Sequence, residues 1–209
     1  MAEDKAPKKI RLEERSLQDL LSLGYIYLLI LGLVKDSIYY GFMGVNYLNY
    51  STIFDVLLSP ISYILESYFV PLILVGISIL LVLLGKYQER SGKQKKLPEP
   101  PPKDAVDVSP LTSYIFIISI FFLSFFIGTG IGGGYQYYKK LKNKSAIANH
   151  HIYFNHAKEE AVPVRLAGQN SQYLFFIKEG GDRVSIVPIG NTIFKIEEIP
   201  EAERKEDPE

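Results

Sequence analysis

Apolar residues in this chain are gathered into long uncharged blocks rather than scattered. Val108 to Tyr138 gives 31 residues without a charge, Ser67 to Gly85 gives 19, and Leu20 to Val34 gives 15. At about 1.5 Å of helical rise per residue, the two longer blocks match the roughly 30 Å of a bilayer's hydrocarbon. The shortest reaches across when Asp19 sits among the headgroups and the Lys35 stem extends towards them. The pattern predicts three transmembrane helices, over 17–38, 60–86 and 110–134. Ser59-Pro60 and Ser109-Pro110 each read as an N-cap followed by proline at the first helical position, marking the starts of the second and third.

Between these blocks the character changes. Residues 1–16 form a charged N-terminal segment, and 87–109 a Pro/Lys-rich linker stiffened around Pro98-Glu-Pro-Pro-Pro102. Residues 39–59 are rich in aromatics, among them Tyr39, Tyr40, Tyr47 and Tyr50, which suit a membrane–water boundary. Within them Ser51 to Leu58 reads either as a short interfacial helix or as a connecting loop. Residues 135–149 form a basic connector, with Lys139, Lys140, Lys142 and Lys144 as expected contacts for anionic lipid.

From residue 150 the apolar period switches to two. Five short runs beginning near His151, Val162, Tyr173, Arg183 and Thr192 are separated by turn residues such as Glu179-Gly-Gly-Asp182 and Gly190-Asn191. They predict a small antiparallel β-domain over 150–199, roll or barrel-like, followed by a disordered tail over 200–209. The predicted fold class is therefore a membrane protein of α+β type, three transmembrane helices followed by this domain. Fifty residues bury little surface, and Tyr173-Leu-Phe-Phe-Ile177 is apolar on both faces. Such a strand needs cover on two sides. The candidates are a second copy, the lipid surface, the Tyr-rich segment or a partner protein, with Tyr47, Tyr50, Tyr173 and Phe175 as the expected partner or assembly surface.

Composition narrows the function. Twenty-three basic residues balance 23 acidic ones, which gives nucleic acid no electrostatic footprint. With no cysteine there is no disulfide framework, thiolate zinc site or thiol nucleophile. For three spans with the N-terminus inside, eleven Lys and Arg fall on the inner side and five on the outer. That asymmetry favours a cytoplasmic N-terminus and an outer β-domain in a plasma or bacterial inner membrane.

Candidate chemistry is sparse. His150, His151 and His156 cluster in sequence, but extended geometry separates them, and they read as strand or rim histidines rather than metal ligands. Gly128-Thr-Gly-Ile-Gly-Gly133 has the spacing of a dinucleotide fingerprint without the strand before it. Gly128, Gly130, Gly132 and Gly134 instead read as G-x-x-x-G helix-packing pairs or as a hinge at the membrane exit. Asp19, Asp36, Asp55 and Glu66 all fall near predicted span ends, which disfavours an ion pump. No nucleophile elbow, zinc-protease or P-loop pattern occurs, and no cofactor is expected. The expected function is a non-enzymatic β-module on a membrane anchor, for assembly or partner binding, with the bilayer and a homo-oligomer or protein as partners. The alternative is a membrane effector or pore-forming subunit that oligomerises through the glycines of the third helix.

Overall fold

The computed structural model describes residues 17–66, 69–90 and 110–204. The charged segment 1–16, most of the linker and the last five residues lie outside the described residues. Four helices precede a sheet: α1 Leu17–Phe42, α2 Ile53–Glu66, α3 Phe69–Arg90 and α4 Pro110–Lys142. A short 3-10 turn, Tyr47–Asn49, lies between α1 and α2. The strands are β1 His150–Phe154, β2 Ala157–Gln169, β3 Tyr173–Lys178, β4 Val184–Pro188 and β5 Ile193–Glu198.

Among the described residues, two helices rather than three are long and apolar enough to cross a membrane, Leu17–Phe42 and Thr112–Lys142 within α4. The block expected to form one span over 60–86 is divided between α2 and α3, and its apolar helical stretch, Val75–Tyr87, is shorter. Ser59-Pro60 does not open a helix. The start lies earlier, at Thr52, where a stronger cap outcompetes it. The Thr52 amide and hydroxyl donate to Asp55 Oδ2 at 2.8 and 2.7 Å, and the Asp55 amide donates back to Thr52 Oγ1 at 3.2 Å. This reciprocal capping box satisfies donors that a helix start leaves orphaned. Pro60 therefore falls inside α2 and is buried. It has no N–H for the Val56 carbonyl one turn back. That carbonyl lies against α1 at Gly32, where any Cβ would overlap it.

The chain divides into two units, 1–26 with 61–124 and 27–60 with 125–209. In the first, Gly85 of α3 lies under the Tyr114 ring of α4, where a Cβ would clash with the ring. The second holds the ends of α1 and α4, the start of α2 and the whole sheet.

α4 runs eight residues past its expected end at 134, so the glycine run is helical throughout. Three of the four connector lysines, Lys139, Lys140 and Lys142, form its last turn, where positive charge opposes the helix dipole. Lys144 follows with φ 51°, and the Ser145 amide closes back on the Lys140 carbonyl at 3.0 Å.

The sheet is antiparallel, in the order β4-β3-β2-β1-β5. β2 is 13 residues long, far longer than its alternating core 162–166, because a tight Asn155-His156 turn starts it early. A bulge between Leu166 and Gly168 bends it. One face gathers Ile152, Val164, Leu174 and Phe176, with Val187, Ile193 and Ile196 from the sheet margins closing over them. This is the small antiparallel domain that the alternation predicts, with five strands in one sheet. The expected disorder from residue 200 does not extend to its first residues. Arg204 donates to the Ile199 carbonyl at 2.9 Å and to Glu198 at 2.7 Å, holding a short 3-10 turn over Glu201–Glu203.

Candidate functional site: a tyrosine seam and a buried ion pair

The second face of β3 is covered by the chain itself. Phe175 and Ile177, both fully buried, join Tyr40, Met43, Tyr47, Val56, Leu141 and Ala167 in one apolar cluster. The rings of Tyr40 and Tyr47 stack at 4.5 Å, and Phe175 lies 4.8 Å from Tyr40 and 5.8 Å from Tyr47. Tyr50 meets Tyr173 edge-on at 5.4 Å. Tyr47, Tyr50, Tyr173 and Phe175, expected at a surface for partners, therefore meet one another inside one chain. Pairing of this kind adds about 0.5–1.5 kcal/mol per aromatic pair beyond the burial itself.

The bulge in β2 explains how the seam is keyed. Interrupting the ladder leaves the Leu166 and Ala167 carbonyls facing the helices. Tyr137 of α4 donates its hydroxyl to Leu166 at 2.9 Å, and Tyr39 of α1 donates to Ala167 at 2.7 Å. The next residue is Gly168, where any Cβ would overlap the Tyr40 hydroxyl. A buried carbonyl without a donor costs roughly 1–3 kcal/mol, so bulge and tyrosines fix one another's position.

A second contact ties the β2–β3 turn to α2. Asn170 Oδ1 accepts the Gln172 and Tyr173 amides, and its amide nitrogen donates to the Tyr50 carbonyl at 2.9 Å. The Ser171 amide and hydroxyl donate to Asp55 at 3.0 and 3.1 Å. Burial alone would raise the Asp55 carboxyl. The hydrogen bonds from Thr52 and Ser171 outweigh it and hold the group below its ordinary value. The Tyr47 phenol is pushed up, by burial first and then by the charges of Asp36 and Asp55.

The glycines divide by face. A Cβ on Gly130 would lie 2.8 Å from the Lys35 carbonyl oxygen and 3.3 Å from Ile38; one on Gly134 would lie 2.8 Å from Phe42. Gly133 faces Tyr39 in the same way. Residue numbers rise together along this contact, so the ends of α1 and α4 run parallel. Gly128 and Gly132 are exposed, with nothing within 4 Å of a Cβ at either position.

Asp36, expected near a span end, lies six residues from the end of α1 and is 4% exposed. Lys35 Nζ lies 3.2 Å from Asp36 Oδ1 and 3.2 Å from Ser59 Oγ of α2. The only sequence signal was an adjacent Lys-Asp pair leading into Ser37 and two tyrosines, which resembles a headgroup anchor equally well.

The histidines stay apart in role. His150 and His151 lie in β1, while His156 in the following turn stacks on Phe154 at 5.6 Å. Burial holds His150 below its ordinary value, opposed by Glu198 and assisted by Arg204. Among the described residues no group of three His, Asp or Glu side chains is placed to hold a metal ion. Lys144 pairs with Asp182 at 3.7 Å, both well exposed. Lys142 and Lys144 border an open cleft of about 530 Å³ that also touches Phe42, Met43, Tyr138 and Leu141. No family model, no curated protein and no solved structure matches this chain.

Proposed function

We propose that this chain is an integral membrane protein whose helices hold a small, non-enzymatic β-module against the outer face of a plasma or bacterial inner membrane, for assembly or partner binding. The observation that carries the reading is the parallel contact of α1 and α4 with the sheet docked at their shared end. Two parallel crossings need a return crossing between Phe42 and Pro110. α2 leads back from the module along α1, meeting Lys35 at Ser59 and Gly32 at Pro60, and α3 follows with 22 residues, about 33 Å by rise. Three crossings in this sense agree with the excess of Lys and Arg in the N-terminal segment and the linker. Exposed side chains such as Phe54, Leu58, Leu65, Leu72 and Leu83 suit lipid as their solvent.

Because Phe175 and its tyrosine neighbours are occupied internally, a partner would meet the module elsewhere. Phe194 on β5 is 55% exposed, with the Lys158 ammonium 5.0 Å above its ring. The test is labelling of single cysteines in intact cells. A cysteine at Phe194 is expected to react with an impermeant reagent, and one at Lys8 only after lysis. Equal reactivity at both sites, or recovery of the chain from the aqueous fraction without detergent, overturns the reading. A second reading, a membrane effector or pore-forming subunit, is favoured by the open face of Gly128 and Gly132, whose spacing lets another helix approach closely.

A further inference from the structure

Docking the module requires the tyrosines and Asp55; it does not require a buried acid within α1. Asp36 nevertheless sits there, with few partners for its charge. Lys35 faces Oδ1 and the Ser59 hydroxyl also bonds the carboxyl, while Oδ2 has no partner of good hydrogen-bond geometry and the neighbouring Ser37 Oγ is likewise buried without one. An ionised carboxylate offers about four acceptor positions, and leaving them empty in a dry site is costly. A neutral carboxylic acid in the same place asks for far less.

On its own helix Asp36 faces Lys35 and, electrostatically, Tyr39 and Tyr40, and the 3-10 turn adds Tyr47. From α2 comes Ser59, which is uncharged, and α4 brings the Gly130 backbone against the Lys35 carbonyl. Lys35 is the more exposed member of the pair, at 15% against 6% for the side chains. It has a way towards solvent that Asp36 lacks.

We propose that Asp36 is a proton-binding site within the helix contact, and that its occupancy sets whether α2 is clamped to α1. With the carboxyl ionised, the Lys35 ammonium is held between Asp36 and Ser59 and joins the two helices. A proton from solvent adds to Oδ2 and neutralises the carboxylate; no other bond forms or breaks. Lys35 then loses its attraction to Asp36, and the bridge through Ser59 weakens. The consequence reaches the β-module, because Ser59 lies one turn after Asp55, and Asp55 holds Ser171 of the β2–β3 turn. Beside the packing of Val56 and Pro60 on Gly32, α2 thus has two polar ties, one to the sheet and one to the ion pair. The inference goes beyond the docking role and is independent of the side of the membrane on which the module lies.

The experiment is hydrogen exchange on the full-length protein in lipid nanodiscs, corrected for intrinsic rates, between about pH 8 and about pH 5, with infrared spectra of the same samples. Asp55 stays ionised in this window, so its own titration does not enter. Protection across 53–66 is expected to fall about tenfold on acidification while β3 is unchanged, and a protonated-carboxyl band absent from Asp36→Asn is expected to grow. Asp36→Asn is expected to give the low-protection state at both pH values. A pH-independent α2 in the parent protein, or an undiminished response in Asp36→Asn, overturns the proposal. Should Asp36→Asn fail to fold, Ser59→Ala separates the two halves. It is expected to keep the titrating band and lose the extra protection at high pH, and persistence of that protection also overturns the proposal.

Discussion

The Tyr39 hydroxyl donates to the Ala167 carbonyl at 2.7 Å, joining residues 128 positions apart in the chain. The bulge leaves that carbonyl outside the strand register, and a long apolar helix supplies the donor. Tyr137 does the same for Leu166. Two helices and one strand irregularity therefore define a single seated position for the module.

That seating separates the two faces of β3. Phe175→Asp puts a charge among Tyr40, Tyr47 and Tyr50 and is expected to undock the module while its own core survives. Phe176→Asp strikes the cluster of Ile152, Val164 and Leu174 and is expected to unfold the sheet itself. Either loss is on the order of 3–5 kcal/mol, as for removal of a buried aromatic. Limited proteolysis checks the difference. Phe175→Asp should release an intact fragment beginning near residue 143, and Phe176→Asp should be degraded throughout the sheet.

The Asp55 carboxyl predicts a dependence on acid. Its value in the fold lies below the ordinary 3.8, because hydrogen bonds to the ionised form outweigh burial. The folded state thus prefers the ionised form. Its contribution is complete at pH values above 3.8 and is lost as pH falls through the lower folded value. Asp55→Asn removes part of a helix cap and is expected to cost about 1 kcal/mol at neutral pH. That penalty should shrink as pH falls below 3.8 and the parent carboxyl takes up its own proton. Thermal melts in detergent across an acid series measure it; a penalty that does not change with pH contradicts the assignment.

The two glycine pairs of α4 predict opposite phenotypes. Gly130→Leu forces a side chain into the Lys35 carbonyl and Ile38, and is expected to destabilise the helix pair by at least about 1–3 kcal/mol. Gly132→Leu meets nothing within its own chain. It is expected to leave the melting temperature unchanged and, where Gly128 and Gly132 form a contact between copies, to lower the oligomer's mass in detergent. Retention of the parent mass in Gly132→Leu removes the second functional reading.

Much of the architecture is written in local patterns. The uncharged blocks at 20–34 and 108–138 marked the two long apolar helices, while the block at 67–85 did not mark one helix over 60–86. Alternation from residue 150 determined a small sheet, and a strand apolar on both faces determined that the sheet needed cover. Helix ends were read less well. A Ser-Pro pair outranked Thr52 in the reading because proline is conspicuous, whereas a capping box is visible only when its two side chains turn towards each other. Glycines at 128–134 announced either packing or a hinge, and only the neighbouring Lys35, Ile38 and Phe42 decided for packing at Gly130 and Gly134.

Tertiary structure alone decided which surface covers Phe175, since four candidates were equally apolar on paper. It also decided the state of Asp36. Whether an acid six residues from a helix end meets headgroups or the inside of a helix contact depends on what packs against it, and Ser59, which does so, lies 23 positions away along the chain. Hydrophobic periodicity is a property of neighbours in sequence; burial of a charge is a property of neighbours in space.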